Sequence, residues 1–403
     1  MESLSNLILE FGNPDALIDS WDNKSQRMAI WGFEDIFLYN SQGCFLNNKK
    51  IDGEPLTICN TILDEWSKTK SSDTYALGYL SYDLKNDLFP HLKLKPVKDK
   101  TLIWFGKPKV IKEYSLDKEC VPTPGNYQLS IEKEIPDLDS YIESINKIKS
   151  YLQLGETYQI NYSNPRKYFY EGCPFNLYLY LRNNAKPRNG FFLDTGEETI
   201  LSLSPENFFT VQNNIIQTFP IKGTINRSDN IIEDKKLYNQ LLDSDKDRAE
   251  HLMIVDLLRN DLGKICKYGT VETKNLYNIK SFETIHHMET EITGELNKDI
   301  NFRDIILALF PGGSITGAPK ERSIEIIDEV ENYTRGIYTG AIGYLSSNDY
   351  MNFNIAIRTL NLKSKTGIYP VGGGIVWDST AHGERKEALD KAKIMDNIKG
   401  EHV

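Results

Sequence analysis

The chain has 403 residues, is 40% hydrophobic and 26% charged, and carries a formal net charge of −10. That length buries a large core in two domains or one composite domain, and the composition excludes a disordered chain. The acidic balance argues against nucleic acid as a partner, so an anionic small molecule needs a locally positive site or a bound cation.

The opening "MESLSNLILEFGNPD" has Glu2 and no basic leader, which makes a poor signal peptide. Five cysteines (Cys44, Cys59, Cys120, Cys173, Cys266) are scattered without a CxxC pair, as packed, reduced thiols of a cytoplasmic protein would be. Residues 1–115 carry strand-like runs: "RMAIWGF", "DIFLYN", "YALGYLSYDL" and "TLIWFG". Then "SLDKECVPTPGNYQ" gathers charge, Pro and Gly as a linker does, which divides the chain into an N-terminal subdomain (1–125) and a main domain (126–403). The smaller part is expected to lend strands to a composite fold.

"SYIESINKIKSYLQLG" has Ile142, Ile145, Ile148 and Leu152 at helical spacing, with Ser140 and Glu143 as a capping box and Gly155 at the end. "ETYQINYS" follows as a strand. In "IIQTFPIKGTINR" an apolar run ending at Phe219 delivers Lys222 beside Gly223, which permits a bend or a close approach. Such a lysine either snorkels to water or acts as a nucleophile.

Next comes a long helix pattern, "DKDRAEHLMIVDLLRNDLGKI", with Asp247 and Glu250 on one face. In "TIHHMETEITGEL" the strand alternation turns His286 and His287 to opposite sides. "LFPGGSITGAPKERSIEIIDEVE" is a glycine loop feeding a helix, with Pro319 in its first turn. Its N–H groups suit a carboxylate, and it lacks the Gly-Lys-Ser/Thr of a nucleotide loop. Its uncharged part is too short to span a bilayer, so no membrane segment is expected.

"YMNFNIAIRTLNL" alternates as one strand, with Arg358 either paired to an internal acid or set to grip a carboxylate. "YPVGGGIVWDS" implies close backbone approach. The helix "HGERKEALDKAKIMDNI" repeats the acid spacing with Glu384 and Glu387, and Lys391 lies one turn on. Two helices with paired acids suit a divalent cation with oxygen ligands, or are merely solvated faces. Helices and strands mix without strict βαβ alternation, which predicts an α+β fold with largely antiparallel sheets.

In this order "LSLSPENFF", "FPIKGTINR", "AEHLMIVDLLRNDLGKIC", "LFPGGSITGAPKERSIEII", "GIYTGAIGYL", "FNIAIRTL" and "GGGIVWDS" resemble the chorismate-utilising enzymes. The resemblance spans residues 130–398, and more weakly "YALGYLSYDL". It implies an α+β, two-sheet, mostly antiparallel sandwich with helices outside, and a chorismate-binding catalytic domain in the main part. It also implies Mg2+ on Glu250 and Glu387, with Asp247 and Glu384 as outer acids; the family more often has Glu at 247. Arg358 and Tyr338 match the grip on the enolpyruvyl carboxylate. Ser314, Gly223, Gly372, Lys391 and Gln159 match substrate-side positions, and His287 the histidine near the reacting edge of the ring.

Two positions separate the branches of this family. Water-adding members carry a lysine where this chain has Gln159. Anthranilate synthases read Pro-Ile-Ala-Gly-Thr where this chain has Pro-Ile-Lys-Gly-Thr, and lysine there resembles the aminodeoxychorismate synthases. That resemblance implies Lys222 as covalent nucleophile and Glu206 as proton donor in a step towards folate. No cysteine sits in a Gly-x-Cys-x-Gly turn, so a separate glutamine amidotransferase subunit is expected to supply ammonia. The rivals are an anthranilate synthase and a non-catalytic chorismate-binding paralogue.

Overall fold

A computed structural model describes residues 2–20, 27–69, 72–98, 100–115, 126–282, 285–396 and 398–400. Cys120 and residues 116–125 of the predicted linker lie outside them; Cys44, Cys59 and Cys266 are buried free thiols and Cys173 is half-buried.

The two runs "RMAIWGF" and "DIFLYN" form one strand, Met28–Asn40, rather than two. Gly32 sits at φ +72° and the pairing register slips between Phe33 and Asp35, so the strand bends and serves two sheets. One run of antiparallel neighbours passes from Met28–Asn40 through Thr101–Ser115, Thr74–Leu80, Ala341–Ser346, Tyr350–Ile355, Asn207–Gln212 and Ile215–Thr218 to Ile285–Glu295. The other leaves the same strand through Ala16–Asp19, Asn189–Asp194, Thr199–Ser204, Thr359–Lys363 and Thr366–Ile375 to Gln159–Gly172 and Tyr127–Lys133. Residues 1–115 thus share hydrogen-bonded strands with the main part of the chain.

Ile18, Ile30, Leu77, Tyr79, Ile200 and Ile342 form an apolar cluster drawn from both runs, the sandwich interior. Helices cover the outside. Ile254, Val255 and Leu258 of Asp245–Gly263 pack with Phe208 and Phe353, and Tyr141, Ile145 and Ile148 of Leu138–Gln153 pack with Ile160 and Tyr162. The chain is therefore the expected α+β, mostly antiparallel sandwich. No helix among the described residues is long and apolar enough to cross a membrane.

Two local expectations need correction. The helix begins at Leu138 and is capped by Asp137, whose carboxylate accepts from the Ser140 N–H at 2.9 Å, so Ser140 lies inside the first turn. The run "YMNFNIAIRTLNL" is two strands, Tyr350–Ile355 and Thr359–Lys363. Arg358, at φ +50°, breaks it, because a left-handed residue cannot continue a ladder.

Candidate active site

Lys222 reaches its place through a β-bulge. Strand Ile221–Asn226 pairs with Ile285–Glu295 so that Lys222 faces Met288 and Thr224 faces His287, leaving Gly223 as the extra residue. Gly223 has φ +76°, and a methyl group there would stand 3.0 Å from Leu241 Cδ1 and 3.1 Å from Asp247 Cβ. Glycine lets the strand kink against the helix that carries Asp247 and Glu250.

The kink opens onto a cavity of about 580 Å³, lined by Lys222, Gly223, Glu206, His287, Ser314, Tyr338, Arg358, Gly372, Lys391, Asp247, Glu250, Glu384 and Glu387. These are the residues singled out in the sequence, with one exception. Gln159 is fully buried behind the wall, its amide about 3.0 Å from where a Gly374 Cβ would be. A side chain at Gly374 would fill that space, so the bare backbone admits the glutamine there instead. The strand alternation that turns Gln159 inward also turns Asn161 inward, and Asn161 reaches the cavity. Lys246, on the helix of Asp247 and Glu250, is a second lining residue not singled out, 3.9 Å from Glu250.

The glycine loop contributes Ser314 and Ile315, but the helix after it contributes nothing. Lys320 at its start turns away to Asp261 at 2.7 Å, so the expected helix-end anion site is not on this wall. His286 faces Asp234 at 3.0 Å and Ser281 at 2.7 Å, away from the cavity side taken by His287. Arg358 is exposed and lines the cavity, and among the described residues no acid stands in ion-pair distance of it.

Burial pushes the Glu206 carboxyl up to about 7, helped by Glu289 and opposed by a Ser314 hydrogen bond and Lys222. Burial also pulls the Lys222 amine below its ordinary value, against the attraction of Glu206, Glu250 and Glu387. The sequence leaves that contest open; in the fold desolvation prevails. Lys222 Nζ donates to the Ser314 carbonyl at 3.4 Å.

Glu384 and Glu387 of one helix lie against the glycine strand, and Asp247 and Glu250 of the other line the same cavity. A Cβ on Gly373 would stand 3.4 Å from Glu384 Oε2, 3.6 Å from Lys391 Nζ and 3.7 Å from Glu387 Oε1. Glu387 pairs with Lys391 at 2.7 Å, and Lys391 also donates to the Gly372 carbonyl at 2.8 Å. Burial raises Glu250 and Glu384, with neighbouring acids adding to it. Among the described residues no three His, Cys, Asp or Glu side chains stand close enough to enclose an ion. Magnesium takes one or two carboxylates and fills its other positions with water and substrate oxygens, so this acid-rich wall fits it.

A family model described as chorismate binding enzyme matches residues 14–397. The chain belongs to that family. Over 363 residues it is 33% identical to anthranilate synthase component 1 of Saccharolobus solfataricus, covering 86% of each chain. Over 253 residues it is 42% identical to aminodeoxychorismate synthase component 1 of Escherichia coli, covering 63% of this chain and 56% of that one. The match thus spans little more than half of the E. coli protein. The crystal structure of anthranilate synthase component I from Streptococcus pneumoniae superposes with a TM-score of 0.80 at 24% identity, covering 93% and 92%, which shows the shared fold. As a chorismate-utilising enzyme, the chain has a cavity of fitting size and polarity for a small dicarboxylate.

Proposed function

We propose that the chain is the large subunit of an aminodeoxychorismate synthase, which converts chorismate and ammonia to 4-amino-4-deoxychorismate and water in the cytoplasm, towards 4-aminobenzoate and folate. The observation that carries this reading is Lys222. It is an amine eased towards neutrality by burial, in one cavity with a carboxyl raised to about 7, which keeps its proton in about half of the molecules at neutral pH.

Lys222 Nζ attacks C2 of the ring, the double bonds shift, and the C4 hydroxyl leaves as water with the proton of Glu206. Ammonia then adds at C4 and the electrons return to expel the lysine from C2, leaving the enolpyruvyl group in place. Arg358 and Tyr338 hold the enolpyruvyl carboxylate, His287 flanks the ring, and Ser314, Gly223, Gly372 and Lys391 shape its seat. Glu250 and Glu387 would hold Mg2+, with Asp247 and Glu384 supporting them, and the ion would neutralise the substrate's other carboxylate. Gln159, behind Gly374, packs the floor rather than touching substrate. A separate glutamine amidotransferase subunit delivers ammonia.

Incubation with chorismate, magnesium and an ammonium salt, followed by mass analysis, tests this. The expected product retains the enolpyruvyl group. Anthranilate with released pyruvate would replace this reading with the anthranilate synthase one.

A further inference from the structure

Behind His287 stands a buried carboxylate with no place in the chemistry above. Glu289 is two residues along the same strand, so both side chains lie on one face of it. It is 2% exposed and does not line the cavity. Three cationic or proton-bearing groups converge on it: Arg188 Nη1 at 2.5 Å from Oε2, Lys280 Nζ on Oε1, and His287 Nε2 at 3.6 Å from Oε2.

The arrangement is built from several elements. Arg188 precedes strand Asn189–Asp194 of the other sheet, and Lys280 comes from strand Glu272–Ser281, opposite His287. Both cations lie 5.7 Å from the centroid of Phe219, so the aromatic residue that leads into Lys222 also supports the pair. Phe282 packs on the His287 ring at 4.6 Å with a 42° tilt. Burial alone would raise the Glu289 carboxyl, yet His287, Arg188 and Lys280 outweigh it and hold it near 2. A fixed negative charge therefore faces one nitrogen of a ring whose remainder meets the cavity.

We propose that Glu289 is a positioning residue for His287: anchored by Arg188 and Lys280, its carboxylate holds the proton of the imidazole on Nε2 and turns the bare Nδ1 edge towards the cavity. His287 Nε2 is buried without a hydrogen-bond partner, so this carboxylate is the acceptor within reach once the ring tilts slightly. The proposal rests on the reading above that His287 flanks the reacting ring.

The test uses full-length protein with 15N-labelled histidine, wild type, Glu289→Gln and Glu289→Asp. Chorismate consumption is followed whatever product forms. In wild type at pH 8 the ring-nitrogen shifts of His287 should report a proton on Nε2 and a bare Nδ1. Glu289→Gln should move both shifts towards averaged values and lower kcat about 10- to 100-fold, with KM for chorismate changed less than threefold. Glu289→Asp keeps the charge and should recover the wild-type pattern and most of kcat. Identical His287 shifts in wild type and the Gln variant would overturn the proposal, whatever the rate. If the Gln variant does not fold, the wild-type spectrum still decides: a proton on Nδ1 rather than Nε2 of His287 overturns the proposal equally. A wild type that leaves chorismate untouched would defeat the functional reading, while the shifts would still decide the role of Glu289.

Discussion

Lys222 Nζ stands 3.4 Å from the carbonyl oxygen of Ser314, and the hydroxyl of the same serine hydrogen-bonds Glu206. One loop residue thus touches the proposed nucleophile through its backbone and the proposed acid through its side chain. Neither contact could be anticipated from spacing, since Lys222 and Ser314 belong to distant parts of the chain.

Replacing Lys222 by Ala restores the Pro-Ile-Ala-Gly-Thr of the anthranilate type. Formation of 4-amino-4-deoxychorismate should fall on the order of 10³-fold, with any residual turnover shifting towards anthranilate. Chromatography with mass detection reads both. A variant that makes the same product at the wild-type rate would reduce Lys222 to a snorkelling side chain.

Glu206 ties activity and stability to pH in the same window. Its carboxyl is raised from 4.5 to about 7 in the fold, so the folded state binds the extra proton between those values. Its contribution to stability is full below about 4.5 and is lost as pH rises through about 7. Glu206→Gln removes that loss. The variant should gain about 3 kcal/mol relative to wild type between pH 4.5 and pH 8, read from denaturant melts at both, while its kcat collapses. In wild type kcat should decline above pH 7 as the acid loses its proton. Parallel stability curves for the two proteins would contradict the raised carboxyl.

Chelation should abolish activity and added magnesium should restore it. Glu250→Gln and Glu387→Gln should each weaken magnesium binding at least tenfold by calorimetry, measured with chorismate present. Wild-type affinity in both variants would remove the two helices from metal binding.

The isolated chain should use ammonia at high pH, where the free base is abundant, and should not use glutamine. Adding a glutamine amidotransferase subunit should confer glutamine use. Efficient glutamine-dependent turnover by the chain alone would refute the two-subunit reading.

Gly223→Ala puts a methyl group at φ +76° within 3.0 Å of Leu241. It should cost about 1–3 kcal/mol of stability and misdirect Lys222, lowering kcat further than the melting temperature alone accounts for. An unperturbed melt together with full activity would mean the bulge is dispensable.

Local regularities were legible without a fold. The acid pairs Asp247/Glu250 and Glu384/Glu387 follow from helical spacing; the first helix forms where predicted, and the second carries its acids but ends at Ala392 rather than running on to Ile398. The opposite facing of His286 and His287 follows from strand alternation, and Gly223 beside Lys222 signals a kink. These hold because helix and strand geometry repeat over a few residues. The order of motifs likewise places the chain among the chorismate enzymes before any coordinate is known.

What only the tertiary structure decided is long-range. The break at Arg358, the retreat of Gln159 behind Gly374 and the turn of Lys320 towards Asp261 depend on partners far along the chain. So does the direction in which the Lys222 amine moves. Burial sums over every atom that excludes water from Nζ, whereas attraction to Glu206, Glu250 and Glu387 depends on where separate helices and strands come to rest. The sequence supplies both influences, but it contains neither the distances nor the desolvation that weigh one against the other.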